Sequence, residues 1–267
     1  MVTTPTLLPA RLKAICFDLD NTLLDHTYAE RAGLADVRAQ YPSIFRDIQH
    51  DDFLEHFHAV NERLWHDLAH QRITSEQLRS QRFLQTILLC TDRYTEETLA
   101  EKSIELGSAY MQSYGRHWRL IPHAEEVLSA AESIAPIGLI TNGFPDQQRA
   151  KIARLGWKDR FRVIAISGEI GVMKPHPEIF DYVEARFAEH DAEESAVHEH
   201  SDIVYIGDSY RSDIEGAKNV GWKTIWFDFF GQTKHTEQHT PAADHIVLSL
   251  KELPLLLATI NGTSVND

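Results

Sequence analysis

The chain has 267 residues, 43% of them apolar, and carries 26 Lys and Arg against 40 Asp and Glu, a formal net charge of −14. Such a length suits one large domain or a core with an insertion, and the ordinary apolar content excludes disordered and fibrous classes. The acidic balance argues against partners that want a basic face, namely nucleic acid polymers and anionic membranes, and no apolar run reaches the roughly 18 residues of a membrane span.

The opening "MVTTPTLLPARLK" lacks the basic region and apolar stretch of a secretory leader. With two cysteines, Cys16 and Cys90, a reducing, cytoplasmic setting is expected; Cys16 falls in an apolar run and reads as packing. That run, "AICFDLD" (14–20), ends on Asp18 and Asp20, with Asn21 and Thr22 behind them. On a strand that is straight to its end, residues two apart face one side, so both carboxylates would address one spot.

From 27 to 117 no strand-like run occurs, and apolar residues recur at helical spacing, as in Phe53, Phe57, Val60, Leu64 and Leu68. Thr74 with Gln77 is a capping-box pattern, and Thr95 before Glu96 and Glu97 is a second helix start. About four helices are expected here, inserted after the first strand. An insertion at that point leaves the carboxyl edge of the sheet, where it would form a lid. Trp65 and Phe83 read equally as bundle packing or as stacking platforms.

Beyond this insertion, residues 136–142, 162–167, 203–207, 223–228 and 245–248 are short Ile-, Val- and Phe-rich runs, apolar on both faces as in a parallel sheet. Helical stretches 124–133, 146–155, 178–188 and 213–220 separate them. The expected fold class is α/β, a Rossmann-like doubly wound parallel sheet with an inserted helical bundle cap. Residues 1–26 and 118–267 would form the core and 27–117 the cap. The acidic run 188–202 reads as a solvated loop, and the pairs His66/His70 and His235/His239 as surface histidines without a third ligand.

Four segments end strands on polar residues: "FDLDNT", "LITNG" with Thr141 and Asn142, "GVMKPHPEIF" with Lys174, and "VYIGDSYRSD" with Asp208 and Asp213. In a parallel sheet they converge on one edge. Asp18, Asp20, Asp208 and Asp213 cannot all stay ionised there without a cation among them, and Mg²⁺, hard and oxygen-loving, fits such a set. Lys174 adds a second local positive charge, which resolves how an acidic chain could bind an anion. Asp18 would attack phosphorus and Asp20 carry the proton, with Thr141, Asn142 and Lys174 on the phosphoryl oxygens.

These motifs resemble the haloacid dehalogenase-like (HAD) superfamily across essentially the whole chain. The resemblance implies Asp18 as nucleophile, Asp20 as acid/base, and Mg²⁺ held by Asp18, the Asp20 carbonyl and Asp208, with Asp213 as ligand or support. Dehalogenating relatives and ion-pumping ATPases lack the second aspartate, so Asp20 favours hydrolysis of a small-molecule phosphate monoester. Within the superfamily the chain is most similar to pyrimidine 5′-nucleotidases, along "NERLWHDLAHQRITSEQLRSQRF", "LITNGFPDQQRAKIARLGWKDRF" and "ISGEIGVMKPHPEIFDY". Other readings are a sugar-phosphate or N-acylneuraminate-type phosphatase, a sugar-phosphate mutase and a non-catalytic binding module. Monomer and homodimer are equally compatible with the sequence.

Overall fold

The computed structural model describes residues 11–190, 202–231 and 243–262. Most of the acidic run 188–202 and the His235/His239 pair lie outside them. The described chain divides into two compact units, residues 26–119 and the remainder. No described helix is long and apolar enough to cross a membrane.

The larger unit is built on six parallel strands: β1 (Ala14–Phe17), β2 (Ile137–Thr141), β3 (Val163–Ile166), β4 (Ile203–Gly207), β5 (Lys223–Phe227) and β6 (His245–Val247). Their order is β3-β2-β1-β4-β5-β6. The chain therefore winds outward from β1 in both directions, and the switch point where ligands bind in open α/β sheets lies at the carboxyl ends of β1 and its neighbours. Strands β1, β2 and β4 are buried at every position, which accounts for their unbroken apolar character.

Cys16 packs against Gly138 of β2, where a Cβ would stand 2.9 Å from the Cys16 sulfur. Burial pushes its thiol far up, so it is inert packing. The two cysteines are both free.

The smaller unit consists of α1 (His26–Gln40), the single turn α2 (Pro42–Phe45), α3 (His50–Ala69), α4 (Ser75–Cys90) and α5 (Glu96–Arg116). Both expected caps form: Thr74 and Gln77 close a capping box on α4, and Thr95 and Thr98 close one on α5. Phe53, Phe57, Val60 and Leu64 are buried along α3, while Leu68 is half-buried. Phe83 lies in this bundle's core, so it packs rather than presenting a stacking face. Gly107 sets the approach of α5 to α4, since a Cβ there would sit 2.6 Å from the Arg79 carbonyl. His66 and His70 are exposed.

The bundle encloses a carboxylate. Glu30 of α1 is 7% exposed and accepts a hydrogen bond from His58 of α3 at 2.8 Å, with His26 at 3.8 Å and the buried Arg82 of α4 adding positive field. Burial opposes ionisation of Glu30, but His58, His26 and Arg82 together hold its carboxyl below the usual range. The bond to Glu30 raises His58 in turn, despite partial desolvation and the nearby Arg31. The Glu30 contribution is lost as pH falls through its lowered value, and the His58 contribution as pH rises through its raised one. The wild type should thus melt lower as pH climbs from about 6 to 8, the range in which His titrates. Glu30→Gln should melt about 2–4 °C lower at pH 6 and show a shallower fall across this range, the remainder coming from buried Asp18, whose raised carboxyl also ionises there; His58 is half solvated, so the energy is near ~1 kcal/mol. Melting curves of both proteins across this range check it.

The remaining helices belong to the larger unit: α6 (Ala124–Glu132), α7 (Pro145–Arg154), α8 (Ser167–Ile170), α9 (Pro177–His190), α10 (Gly216–Asn219) and α11 (Leu253–Ile260). Residues Tyr210–Glu215 form a π-helical turn before α10, so Asp213 lies inside that turn rather than at the start of an α-helix.

Candidate active site

Strand β1 stops at Phe17, yet the Asp18 amide still donates to the Ile206 carbonyl of β4 at 2.9 Å. This bond launches the Asp18 side chain from the carboxyl edge of the sheet. The chain then turns sharply: the amides of Leu23 and Leu24 both reach the Leu19 carbonyl at 2.9 Å, and Asn21 takes a left-handed φ of 62°. Asparagine tolerates that region better than most residues, which explains its place here. Asp20 consequently stands in a turn, and the straight-strand argument for its direction does not apply.

Lys174 gathers the site. Its ammonium donates to Asp18 Oδ1 at 2.6 Å, to Asp213 Oδ1 at 2.6 Å and to Tyr205 Oη at 2.9 Å, and the residue is 5% exposed. Its main chain is clasped by Asn142, whose Oδ1 accepts from the Lys174 amide at 2.9 Å while its Nδ2 donates to the Lys174 carbonyl at 3.0 Å. The Asn142 side chain is thus fully engaged with the main chain of Lys174, which leaves its backbone amide as the polar group to face the strand edge. Thr141 is fully buried, its Oγ1 accepting from Gln148 Nε2 at 2.6 Å.

Asp213 is fixed from two sides, its Oδ2 accepting from the Ser209 amide at 2.9 Å. A Cβ on Gly207 would overlap the Asp213 carboxylate, so glycine at the end of β4 is what lets that group lie on the backbone. Carboxylate oxygens of Asp18, Asp208 and Asp213 all lie within 4.8 Å of one another, the one such grouping of possible metal ligands among the described residues. Desolvation first, then repulsion from Asp213 and Asp20, pushes the Asp18 carboxyl up to about 7 against the pull of Lys174. Asp208 is raised well above the usual carboxylate range by desolvation and by Asp18 and Asp213. Lys174 stays charged: burial opposes it, but Asp18 and Asp213 more than offset that. Burial and the same carboxylates raise Tyr205, keeping its hydroxyl protonated. Were all three carboxylates ionised, one ammonium would leave two negative charges uncompensated; without a cation, the raised Asp18 and Asp208 relieve that deficit by holding protons. Hard oxygen donors with that deficit fit a divalent cation.

Asp20 departs from this cluster. Its oxygens accept from Lys151 Nζ at 2.7 and 2.8 Å and from Gln148 Nε2 at 2.9 Å. Neither Lys151 nor Gln148 stands out in the sequence. The signal that points to them is their spacing: three apart on α7, they share a face with the buried Ile152. Tyr205 announces itself more plainly, as a phenol in a strand buried on both faces needs a polar partner.

The parallel sheet thus carries buried Asp18 at its switch point, Lys174 across from it and two further carboxylates, Asp208 and Asp213, beside it. The chain belongs to the haloacid dehalogenase-like hydrolase family, whose model matches residues 12–221. It is 33% identical to the pyrimidine 5′-nucleotidase YjjG of Escherichia coli (strain K12), over 91% of this chain and 96% of that protein. It is 31% identical to the glyceraldehyde 3-phosphate phosphatase of Pyrococcus furiosus, over 95% of this chain and 96% of that one. Among solved structures, the HAD hydrolase YfnB of Bacillus subtilis, solved with magnesium bound, shares the fold with a TM-score of 0.71. It is 22% identical to this chain, and the match covers 92% of this chain and 99% of that one.

Proposed function

We propose that the protein is a Mg²⁺-dependent phosphatase of small phosphate monoesters that works through an aspartyl-phosphate on Asp18. The observation that carries the reading is the convergence of Asp18, Lys174, Asp208 and Asp213 at one strand edge. Asp18 Oδ attacks phosphorus as the ester P–O bond breaks, and the departing oxygen takes a proton from Asp20. Water then attacks phosphorus, giving its proton back to Asp20 and releasing Asp18 and inorganic phosphate. Lys174 orients the Asp18 carboxylate and offsets charge on the transferring group, while Thr141 and the Asn142 amide face the phosphoryl oxygens. The residues that would hold Mg²⁺ are Asp18, Asp208 and the Asp20 carbonyl, with Asp213, already engaged by Lys174 and Ser209, in support. When bound, the ion supplies Lewis-acid stabilisation of phosphoryl charge.

For the substrate, a pyrimidine nucleoside 5′-monophosphate is favoured because, with both matches spanning the helical unit as well as the core, the nucleotidase has the higher identity, 33% against 31%. A small sugar phosphate is the second reading, favoured by the triose-phosphate phosphatase relative. The net charge of −14 supports a small-molecule partner rather than a nucleic acid polymer or membrane, and two free cysteines fit a reducing, cytoplasmic setting. Ranking phosphate esters by kcat/KM tests the choice: nucleoside monophosphates should lead, and flat rates across nucleotides and sugars would reject the narrow claim. EDTA should silence the enzyme and Mg²⁺ restore it. No phosphate release from any ester with Mg²⁺ present would turn the reading toward a binding module.

A further inference from the structure

Lys151 is 2% exposed, on a helix otherwise rich in solvated polar residues. A buried ammonium needs a partner, and this one is aimed at both oxygens of Asp20, at 2.7 and 2.8 Å. Gln148, 1% exposed and one turn earlier on α7, donates to Asp20 Oδ2 at 2.9 Å and to Thr141 Oγ1 at 2.6 Å. Gly143 gives that amide its room, since a Cβ there would stand 2.9 Å from Gln148 Cδ. Donors from two side chains therefore fix the plane of the Asp20 carboxylate, and Gln148 couples that plane to the strand end that carries Thr141.

We infer that Lys151 and Gln148 are positioning residues for proton transfer by Asp20, setting the direction in which it protonates a leaving oxygen and later deprotonates water. This rests on the phosphatase reading above. In α7 a lysine with no such duty would turn to solvent, where its charge is hydrated at no desolvation cost. Its burial against a carboxylate that itself stands in a turn is what a role in orientation requires. Proton transfer is sensitive to heavy-atom placement, so loosening Asp20 weakens both half-reactions without touching the nucleophile.

The effect depends on the leaving group. An alkoxide, such as the 5′-oxygen of a nucleoside, leaves only with a proton; nitrophenolate leaves without one. With Mg²⁺ present, Lys151→Met should lower kcat/KM for uridine 5′-monophosphate by about a hundredfold. Its first-turnover release of nitrophenolate from p-nitrophenyl phosphate should stay within about threefold of wild type, since that step needs no general acid. Hydrolysis of the aspartyl-phosphate then becomes slow, so nitrophenolate should appear as a burst of about one equivalent per enzyme. Lys151→Arg, which keeps two N–H donors, should recover most of the nucleotide activity, and Gln148→Leu should shift the leaving-group preference in the same direction by a smaller factor.

Equal slowing of nucleotide kcat/KM and of first-turnover nitrophenolate release by a folded Lys151→Met protein, or no slowing of either, overturns the inference while leaving the phosphatase reading intact. Should that variant fail to fold, Gln148→Leu carries the same comparison, and a loss independent of leaving group overturns it. A wild-type protein that releases phosphate from neither ester instead sinks the phosphatase reading itself.

Discussion

Asp18→Asn is expected to abolish phosphate release, lowering kcat by about 10⁴-fold or more, the scale of losing a nucleophile, while leaving the protein folded. The amide is isosteric with the carboxylate but cannot attack phosphorus. Lys174 keeps Asp213 at 2.6 Å and Tyr205 at 2.9 Å, so the buried ammonium is not orphaned. The substitution also removes one of three carboxylates crowded within 4.8 Å. In metal-free buffer the variant should therefore melt at or above the wild type, a sign opposite to the usual outcome of altering a buried residue. Steady-state rates with Mg²⁺ and melting curves in chelator check the two halves. Activity within about a hundredfold of wild type, less than a lost nucleophile removes, would contradict the assigned nucleophile.

That combination of buried strand and crowded charge was legible in the sequence to an instructive degree. A strand buried on both faces must be apolar throughout, so the Ile- and Val-rich runs announced the parallel sheet, although the edge strand β6 exposes His245 and Ile246, and polar residues at the strand ends had only one edge to occupy. Asp18, Lys174, Asp208 and Asp213 come together for that reason, although 195 residues of numbering separate Asp18 from Asp213. Asp20 was harder to place. Its direction depends on the left-handed turn at Asn21, which alternation along a strand does not encode. The role of Asn142 was hidden because its amide answers to the main chain of Lys174, a partner remote in sequence. Lys151 and Gln148 look like ordinary solvated helix residues until the packing of α7 turns their face inward. Periodicity locates an element and its buried side; it does not say which polar residue on that side finds a partner across the sheet.

Lys174→Met carries the second large expectation, and the same charges give it the opposite sign. Methionine fills the lysine's volume but leaves Asp18, Asp208 and Asp213 without their ammonium, and Asp18 and Asp213 are 5% and 1% exposed. Breaking a buried pair by removing one partner costs about 3–5 kcal/mol, so the metal-free variant should melt about 10 °C below wild type at ~2–4 °C per kcal/mol for a chain of this size. The Asn142 clasp acts on the main chain and survives the change, so the loss is one of charge more than of loop structure. Mg²⁺ then becomes the remaining compensator of the three carboxylates, and adding it should raise the melting temperature of the variant by more than that of the wild type. Adding Asp18→Asn on top should recover part of the loss, because the deficit is carried by like charges in contact. A recovery on adding the second substitution is the charge signature, because a purely steric pair of defects at these touching residues would not restore stability in chelator and lose that gain with Mg²⁺. Melting the four proteins with and without Mg²⁺ separates these cases. A Lys174→Met protein as stable in chelator as the wild type would mean that the carboxylates do not strain one another, and the electrostatic case for a cation among them would fall with it.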